Sequence, residues 1–376
     1  MNAHPEGLRR YVSDHIAYVR EKGGFQGPKN VLIIGSSAGY GLATRIACAY
    51  GAGAKTLGVA FEKPASAKRT ATVGWYNTHA FEEQAHADGL VAETFFADAF
   101  SHETRAKVIT RIRELMGKVD LVVYSLASGV RTDPDTGEQW RSALKPIGNT
   151  YRSRAVDAMK GEVHEVEIEP AGEEETFATV KVMGGEDWEL WIDALLEAQV
   201  LAPGALTLAY SYIGPEVTQA VYRDGTIGKA KEHLEATSGA LNAKLAAIEG
   251  KAFVSVNKAL VTRASSVIPA VPLYLSILFR VMKEKNIHED TIAQMYRLFT
   301  ERLYAGGEVP VDELGRIRLD DWEMREDVQA EVAQIWPEVT TENIASMTDI
   351  EGFRSDFLHI HGFGYDSVDY DADIEP

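Results

Sequence analysis

Tyr222 and Lys231 pair a phenol, which can hand a proton to a centre where negative charge develops, with an ammonium, which can hold hydroxyls or steady that charge. They stand nine positions apart, about half a turn out of phase on one helix, so they cannot share a helical face. Gly225 and Gly228 between them place Tyr222 on an approach loop, Thr226 near a helix start and Lys231 on the helix itself. Lys229 then faces elsewhere, about 200° around the axis. A second set is Gly35-Ser36-Ser37-Ala38-Gly39-Tyr40-Gly41, which interrupts an apolar run and precedes a helical pattern. Gly35 permits a tight turn, Gly39 lets backbone approach a pyrophosphate, and Gly41 lets the helix sit close to the strand with its N–H groups facing the anion.

These residues need a frame, and the chain spells one. Residues 31–34 read as a buried parallel strand, 55–61 as a second, 92–97 as a third, 119–124 as a fourth and 205–212 as a fifth. Helical patterns over 70–88, 102–116 and 188–198 fall between them. This alternation predicts an α/β fold, a doubly wound parallel Rossmann sheet that binds its ligand across the carboxyl ends of the strands. The G-x-x-x-G-x-G spacing resembles that of the short-chain dehydrogenase/reductase superfamily. Glu62, at the second strand end, can accept from adenosine ribose hydroxyls and repel a 2′-phosphate, or stand as a solvated acid; Lys63, Lys68 and Arg69 nearby pull the other way. Asp98 can accept from an adenine amino group or cap a helix, and both readings stay open.

The alternation fails over about 130–191. Period-two patterns at 163–169 and 176–182, around Pro170-Ala171-Gly172, predict an inserted β-hairpin, a lid over the substrate, with Glu173-Glu174-Glu175 as its solvated tip. The run 267–279 is too short and too proline-broken to span a membrane and reads as a core helix. His359-Ile360-His361 has strand-like spacing with no acid pattern for a metal, and 366–376 reads as a partly ordered acidic tail. With no linker or repeat, the chain is expected to be a single elaborated Rossmann domain: an N-terminal helix over 1–28, a nucleotide-binding and catalytic core over 29–300, and a helical C-terminal extension over 301–376.

Composition narrows the partners. The 376 residues are 45% hydrophobic and 25% charged, enough for a large core, and the net charge of −18 argues against nucleic acid. A single cysteine, Cys48, rules out a disulfide within the chain and points to a reducing, cytoplasmic compartment. Residues 1–24 carry mixed charge with no apolar centre, unlike a signal peptide or a membrane span.

The segments GSSAGYGL, GVAFEKP, GWYN, DAFS, VDLVVYSLAS, RSALKPIG, VMGGEDWELWIDAL, YSYIGPE, GTIGKAK, RLDDWEMR, WPEVTTEN and VDYDADI, in this order, resemble the trans-2-enoyl reductase family. That family comprises the FabV-type enoyl-acyl carrier protein reductases and the trans-2-enoyl-CoA reductases. The resemblance runs from His4 to the C-terminus. It implies a monomeric, flavin-independent, NADH-linked reduction of the 2,3 double bond of an enoyl thioester carried on CoA or acyl carrier protein. By motif it implies cofactor contacts at Gly35, Ser36, Ser37, Ala38, Gly39, Tyr40, Phe61, Glu62, Asp98, Ala99, Leu126, Ala127, Lys231, Leu260, Val261 and Thr262. Tyr212 matches the substrate-contacting tyrosine and Tyr222 the proton donor, while the run 267–279 becomes a wall of the acyl tunnel. The chain departs from the family where 217–223 lacks the tryptophans often found beside the catalytic tyrosine, and where Arg263 replaces a frequent glutamine.

In the chemistry this implies, hydride adds to C3 and the resulting enolate is protonated at C2 by Tyr222. Lys231 is expected to assist the phenol and bind the ribose, and Tyr212 to donate to the carbonyl or wall the acyl pocket. A ketone reductase of the same superfamily and a non-catalytic NADH sensor are the rival readings.

Overall fold

The computed structural model describes residues 3–265, 268 and 270–373. Seven parallel strands form the central sheet: β1 (Asn30–Ile34), β2 (Lys55–Ala60), β3 (Ala92–Phe96), β4 (Val119–Tyr124), β9 (Leu201–Ser211), β10 (Lys251–Val256) and β11 (Arg316–Arg318). Their order is β11-β10-β9-β4-β1-β2-β3. The strand sequence reverses direction at β1, which opens a crevice between the carboxyl ends of β1 and β4, where such sheets bind ligands. β1 is apolar on both sides, with Val31, Leu32, Ile33 and Ile34 all buried, because helices cover both faces of the sheet.

One face packs under α1 (Pro5–Lys22), α2 (Gly39–Ile46), α3 (Val73–Ala87) and α10 (Thr291–Arg297). The other packs under α4 (His102–Leu115), α6 (Glu186–Glu197) and α8 (Thr226–Leu245). A third core lies beyond the strand ends around α9 (Val271–Glu284), joined by α11 (Glu326–Ile335) and α13 (Ile350–His359), with Tyr222, Leu260 and Val261 in the same cluster. The predicted core helix in the 267–279 run is α9; Val267 and Pro269 of that run lie outside the described residues.

The structure corrects four expectations. After a short antiparallel pair, β5 (Val130–Thr132) with β6 (Gln139–Arg141), the inserted hairpin pairs β7 (Tyr151–Asp157) with β8 (Glu162–Ile168), so 163–168 is strand but its partner precedes it. The segment 176–182 is helical, within α5 (Glu173–Met183). Its alternating valines mimic a strand, but Thr179 and Val182 are three apart on one buried face, and Glu175 reaches back to the Gly172 N–H at the helix start. The acidic triplet is therefore the first turn of α5, where carboxylates suit the helix dipole, and not a hairpin tip. His359 ends α13 and His361 follows it in a turn, so the H-x-H spacing belongs to a helix terminus, where His361 Nδ1 lies 2.9 Å from the Phe357 carbonyl. Finally, the C-terminal extension is not purely helical. β11 adds an edge strand beside β10, with Val254 opposite Arg316, and buries Ile317 between Arg318 and a buried Arg316 that pairs with Asp312 and Glu235.

The insertion leans on the C-terminal segment: Arg154 Nη1 of β7 donates to the Val339 carbonyl at 3.1 Å, and Val163 N to Thr341 Oγ1 at 3.0 Å. It also fixes the start of α8, where Thr226 N donates to the Lys145 carbonyl at 2.9 Å and Thr226 Oγ1 to that of Ala143. A stretch that reads in sequence as a lid is, in part, the clamp on the loop that carries Tyr222.

Candidate active site

The cradle is built from backbone. Gly35 has φ +89°, a conformation costly for other residues, and its N–H donates to the Val59 carbonyl at 2.8 Å, so the chain leaves β1 against β2. A side chain at Gly41 would run into the carbonyl oxygen of Gly35, so the glycine lets α2 start directly above the strand. The residue before α2, Ala38, offers no side-chain cap, which leaves the first N–H groups of the helix to face the crevice. Ser36 and Tyr40 enter only through their backbones. The Ser36 hydroxyl is buried near the Val59 carbonyl, and Tyr40 turns its hydroxyl inward to donate to the Lys258 carbonyl at 2.6 Å.

Around the cradle the predicted residues converge. Ser37 Oγ donates to Glu62 Oε1 at 2.7 Å, Asn77 Nδ2 holds the Ser37 carbonyl at 3.1 Å, and Arg263 Nη1 comes within 3.9 Å of Glu62 Oε1. Phe61 is 71% exposed, a bare aromatic face next to Glu62. Thr262 lies against Gly39, and a small cavity is lined by Ala38, Gly39, Asn77, Val261, Thr262 and Arg263, with Tyr11 and Ile360 closing it. Leu126 follows β4 directly across from Gly35, with Ala127 next along the same loop. Asp98 Oδ1 accepts from Phe100 N at 3.0 Å while Ser101 caps α4, so the helix-cap reading of Asp98 is corrected to a turn next to the cap. The Ala99 carbonyl accepts from Trp191 Nε1 at 3.0 Å, tying this rim to α6.

The fit to a dinucleotide rests on a glycine cradle at the switch point, uncapped helix N–H groups, a carboxylate at the second strand end, and a buried Asn77 Oδ1 with no hydrogen-bond partner among the described residues. Asn77 escaped sequence reasoning as a functional residue, although its GWYN segment was visible.

The chemical end lies beyond β9. Tyr222 sits in the loop before α8, as the two glycines predict, and Thr226 is the first residue of that helix. Lys231 Nζ donates to the Tyr210 carbonyl at 3.2 Å, whereas Lys229 pairs outward with Glu232 at 2.8 Å, the divergence that helical phase requires. Burial pushes the Lys231 ammonium down to about 8. Burial first, and then the Glu323 carboxylate, raise the Tyr222 phenol, which keeps it protonated and suits it to act as an acid. Its ring packs edge-on against Tyr212 with centroids 4.9 Å apart. Tyr212 in turn donates to Glu323 Oε1 at 3.0 Å, and Tyr274 of α9 donates to the same oxygen at 2.6 Å. Of the two roles expected for Tyr212, walling the acyl pocket agrees with this bond, because its proton is already committed. Glu323 was missed as a site residue, its one signal an acid set between Trp322 and Met324, and Tyr274 was read only as part of the 267–279 wall.

A Rossmann cradle with a tyrosine and a lysine at the carboxyl ends of its strands defines a dinucleotide-dependent oxidoreductase. Three family models cover the chain: an NAD(P)H binding domain of trans-2-enoyl-CoA reductase over residues 1–67, a trans-2-enoyl-CoA reductase catalytic region over 69–304, and an enoyl reductase FAD binding domain over 311–374. An enoyl-[acyl-carrier-protein] reductase [NADH] of Flavobacterium johnsoniae is 56% identical over 373 residues, 99% of this chain and 94% of the relative. One of Coxiella burnetii is 55% identical over 376 residues, 99% of this chain and 93% of the relative. Among solved structures, the trans-2-enoyl-CoA reductase of Clostridium acetobutulicum in complex with NADH is 47% identical with a TM-score of 0.98, covering 100% of this chain and 94% of that one. That of Treponema denticola in complex with NAD is 54% identical with a TM-score of 0.96, covering 100% and 95%. The chain belongs to the trans-2-enoyl-CoA reductase family.

The residues of 311–374 do not fit the flavin named by one of these models. Val328, Val332, Ile350 and Phe353 are spent on the core with α9, and the buried carboxylates are held within the protein, Asp320 by Arg318 and Glu323 by Tyr212, Tyr274 and the Ala259 N–H.

Proposed function

We infer that this protein catalyses the NADH-dependent reduction of the 2,3 double bond of trans-2-enoyl thioesters, carried on CoA or on acyl carrier protein, to the saturated acyl thioester. The observation that carries this reading is the full-length likeness to NADH-linked enoyl-acyl carrier protein reductases at 54–56% identity, joined to a cradle that fits the cofactor. When bound, NADH supplies a hydride for C3 of the substrate. The backbone N–H groups from Gly35 to Tyr40 take the pyrophosphate, Glu62 and Phe61 the adenosine ribose and base, with Asp98 and Ala99 at the adenine rim. Leu126, Ala127 and the 260–262 segment flank the nicotinamide end, where Lys231 reaches the ribose hydroxyls. Tyr212 and α9 wall the acyl group. As charge moves onto the thioester oxygen, the Tyr222 hydroxyl meets it and delivers the proton that ends at C2; a phenol held up by burial gives that proton only to a basic centre such as an enolate.

The chain acts as one unit, because its C-terminal segment supplies both an edge strand and part of the site. Among the described residues no helix is long and apolar enough to cross a membrane, and the lone cysteine is buried, which supports a cytoplasmic site of action. The test is NADH oxidation by purified protein with crotonyl-CoA beside acetoacetyl-CoA. Turnover of the enoyl thioester is expected. Turnover of the ketone alone would replace this reading with a ketone reductase, and cofactor binding without turnover would leave a sensor.

A further inference from the structure

Glu323 lies after β11, far from the cradle in sequence, and is fully buried. Its Oε1 accepts from Tyr212 at 3.0 Å and from Tyr274 at 2.6 Å, and its Oε2 accepts from the Ala259 N–H at 2.7 Å. Ala259 leads directly into the 260–262 segment on the cofactor side, while Tyr212 follows β9 and packs on Tyr222. One carboxylate therefore spans the cofactor segment, the acyl wall and the neighbour of the proton donor. Gln329 Nε2 braces the arrangement, donating to the Glu323 carbonyl at 2.7 Å and to the Tyr274 hydroxyl at 3.2 Å. Lys258 supplies the positive charge of this interior, with Nζ on the Ala259 carbonyl at 3.0 Å and over the Phe279 ring at 4.9 Å.

Burying a carboxylate is costly even when it is well paired, so such a group adds little net stability and is better explained by what it fixes. Burial pushes the Glu323 carboxyl up, while Lys258 and the donors from Tyr274 and Ala259 oppose that shift; held by three donors as a carboxylate it can only accept, so both tyrosines turn their O–H groups towards it. Tyr212 then keeps its proton on Glu323 and has only lone pairs left for any other group.

We propose that Glu323 is a positioning residue for the reduction: it withholds the Tyr212 proton from the thioester oxygen, leaving protonation to Tyr222, and it locks the acyl wall to the cofactor segment. This rests on the function inferred above. It goes beyond that reading by giving the C-terminal segment a part in proton delivery.

The test begins with Glu323→Gln, which keeps the shape. The buried Ala259 N–H needs an acceptor, so the amide oxygen should turn to it and the amide N–H₂ to the tyrosines, freeing the Tyr212 proton towards the pocket. With crotonyl-CoA, kcat should fall by about tenfold or more while the NADH Kd stays within about twofold, a split that a loosened fold would not give. In a Tyr212→Phe background the same change should cost several-fold less than in the wild type, because the hydroxyl through which it acts is gone and only the loss of charge near Tyr222 remains. Losses that simply multiply, or a Glu323→Gln enzyme with wild-type kcat, would overturn the proposal. Should Glu323→Gln not fold, Glu323→Asp decides. The shorter acid cannot reach both Ala259 and the tyrosine pair, so either kcat falls or the NADH Kd rises by about fivefold; wild-type values for both overturn it. Wild-type protein inactive on crotonyl-CoA sinks the function and this proposal together, whereas active wild type with equal variants sinks this proposal alone.

Discussion

The cofactor half and the acyl half of this molecule are built by opposite means. The cradle is a continuous stretch, Gly35 to Gly41, in which backbone N–H groups and missing side chains do the work. The acyl half gathers Tyr212 after β9, Tyr222 from a loop, Tyr274 from α9 and Glu323 from beyond β11, and joins them through buried side-chain bonds. A dinucleotide presents the same pyrophosphate to every such fold, so local backbone suffices to hold it. An enolate demands a proton of set reluctance at a set place. That is fixed only by burial and by charges brought from a distance.

The largest effect should come from breaking the acyl half at its donor. Tyr222→Phe removes one oxygen from a packed ring and leaves the cradle untouched, so NADH affinity should hold while kcat with crotonyl-CoA falls roughly 10²–10⁴-fold. Fluorescence titration with NADH beside steady-state kinetics reads both. Near-normal turnover would show that water or another group delivers the proton, and the acyl half would lose its assigned chemistry.

Lys231 lies on the seam, and its variant should blur the contrast. Lys231→Met removes the charged hydrogen bond proposed to the ribose, which should weaken NADH by about 10- to 100-fold and lower kcat as well. The pH dependence gives an independent reading. Burial lowers the group to about 8, so it is an ammonium below that pH and loses its charge above it. The wild-type NADH Kd should therefore be flat below about pH 8 and rise above it, by at most tenfold per unit, while the Kd of Lys231→Met stays flat throughout. A wild-type Kd that does not move across that range would detach Lys231 from the cofactor.

What could be read in the sequence follows the same division. The strand, glycine turn and helix at 31–46 and the acid at 62 were legible because each is local: apolar run, missing Cβ, strand end. Tyr222 and Lys231 were legible through Gly225 and Gly228, which fixed where the loop gives way to the helix. Segment 176–182 was misread because Val180 and Val182, two apart, satisfy a strand, while Thr179 and Val182, three apart, also satisfy a buried helix face. The strand at 151–157 alternates only weakly, and β11 is three residues long, too short for periodicity to register. Glu323 carried no local signal of its role, because the partners that define it stand 49 and 111 residues earlier in the chain.

The smallest effect tests whether the cofactor half uses any side-chain charge to choose its ligand. Glu62 is nearly buried, accepts from Ser37 Oγ at 2.7 Å and stands where a 2′-phosphate would come, but Arg263 Nη1 is 3.9 Å from the same oxygen. The two charges oppose each other, so the preference for NADH over NADPH should be real and incomplete. Glu62→Ala removes both the acceptor for the ribose hydroxyls and the repulsion, and should lower the ratio of kcat/KM for NADH over NADPH by about 1–2 kcal/mol, roughly 5- to 30-fold. Arg263→Gln should move the ratio the other way and by less. Its side chain is 49% exposed and its pairing loose, so solvent screening confines the effect to about 0.2–1 kcal/mol, a few-fold at most. Both ratios come from initial rates with each cofactor at saturating crotonyl-CoA. Opposite signs would show that two side chains tune a cradle otherwise made of backbone; an unchanged ratio in Glu62→Ala would leave discrimination to the backbone alone and remove Glu62 from the site.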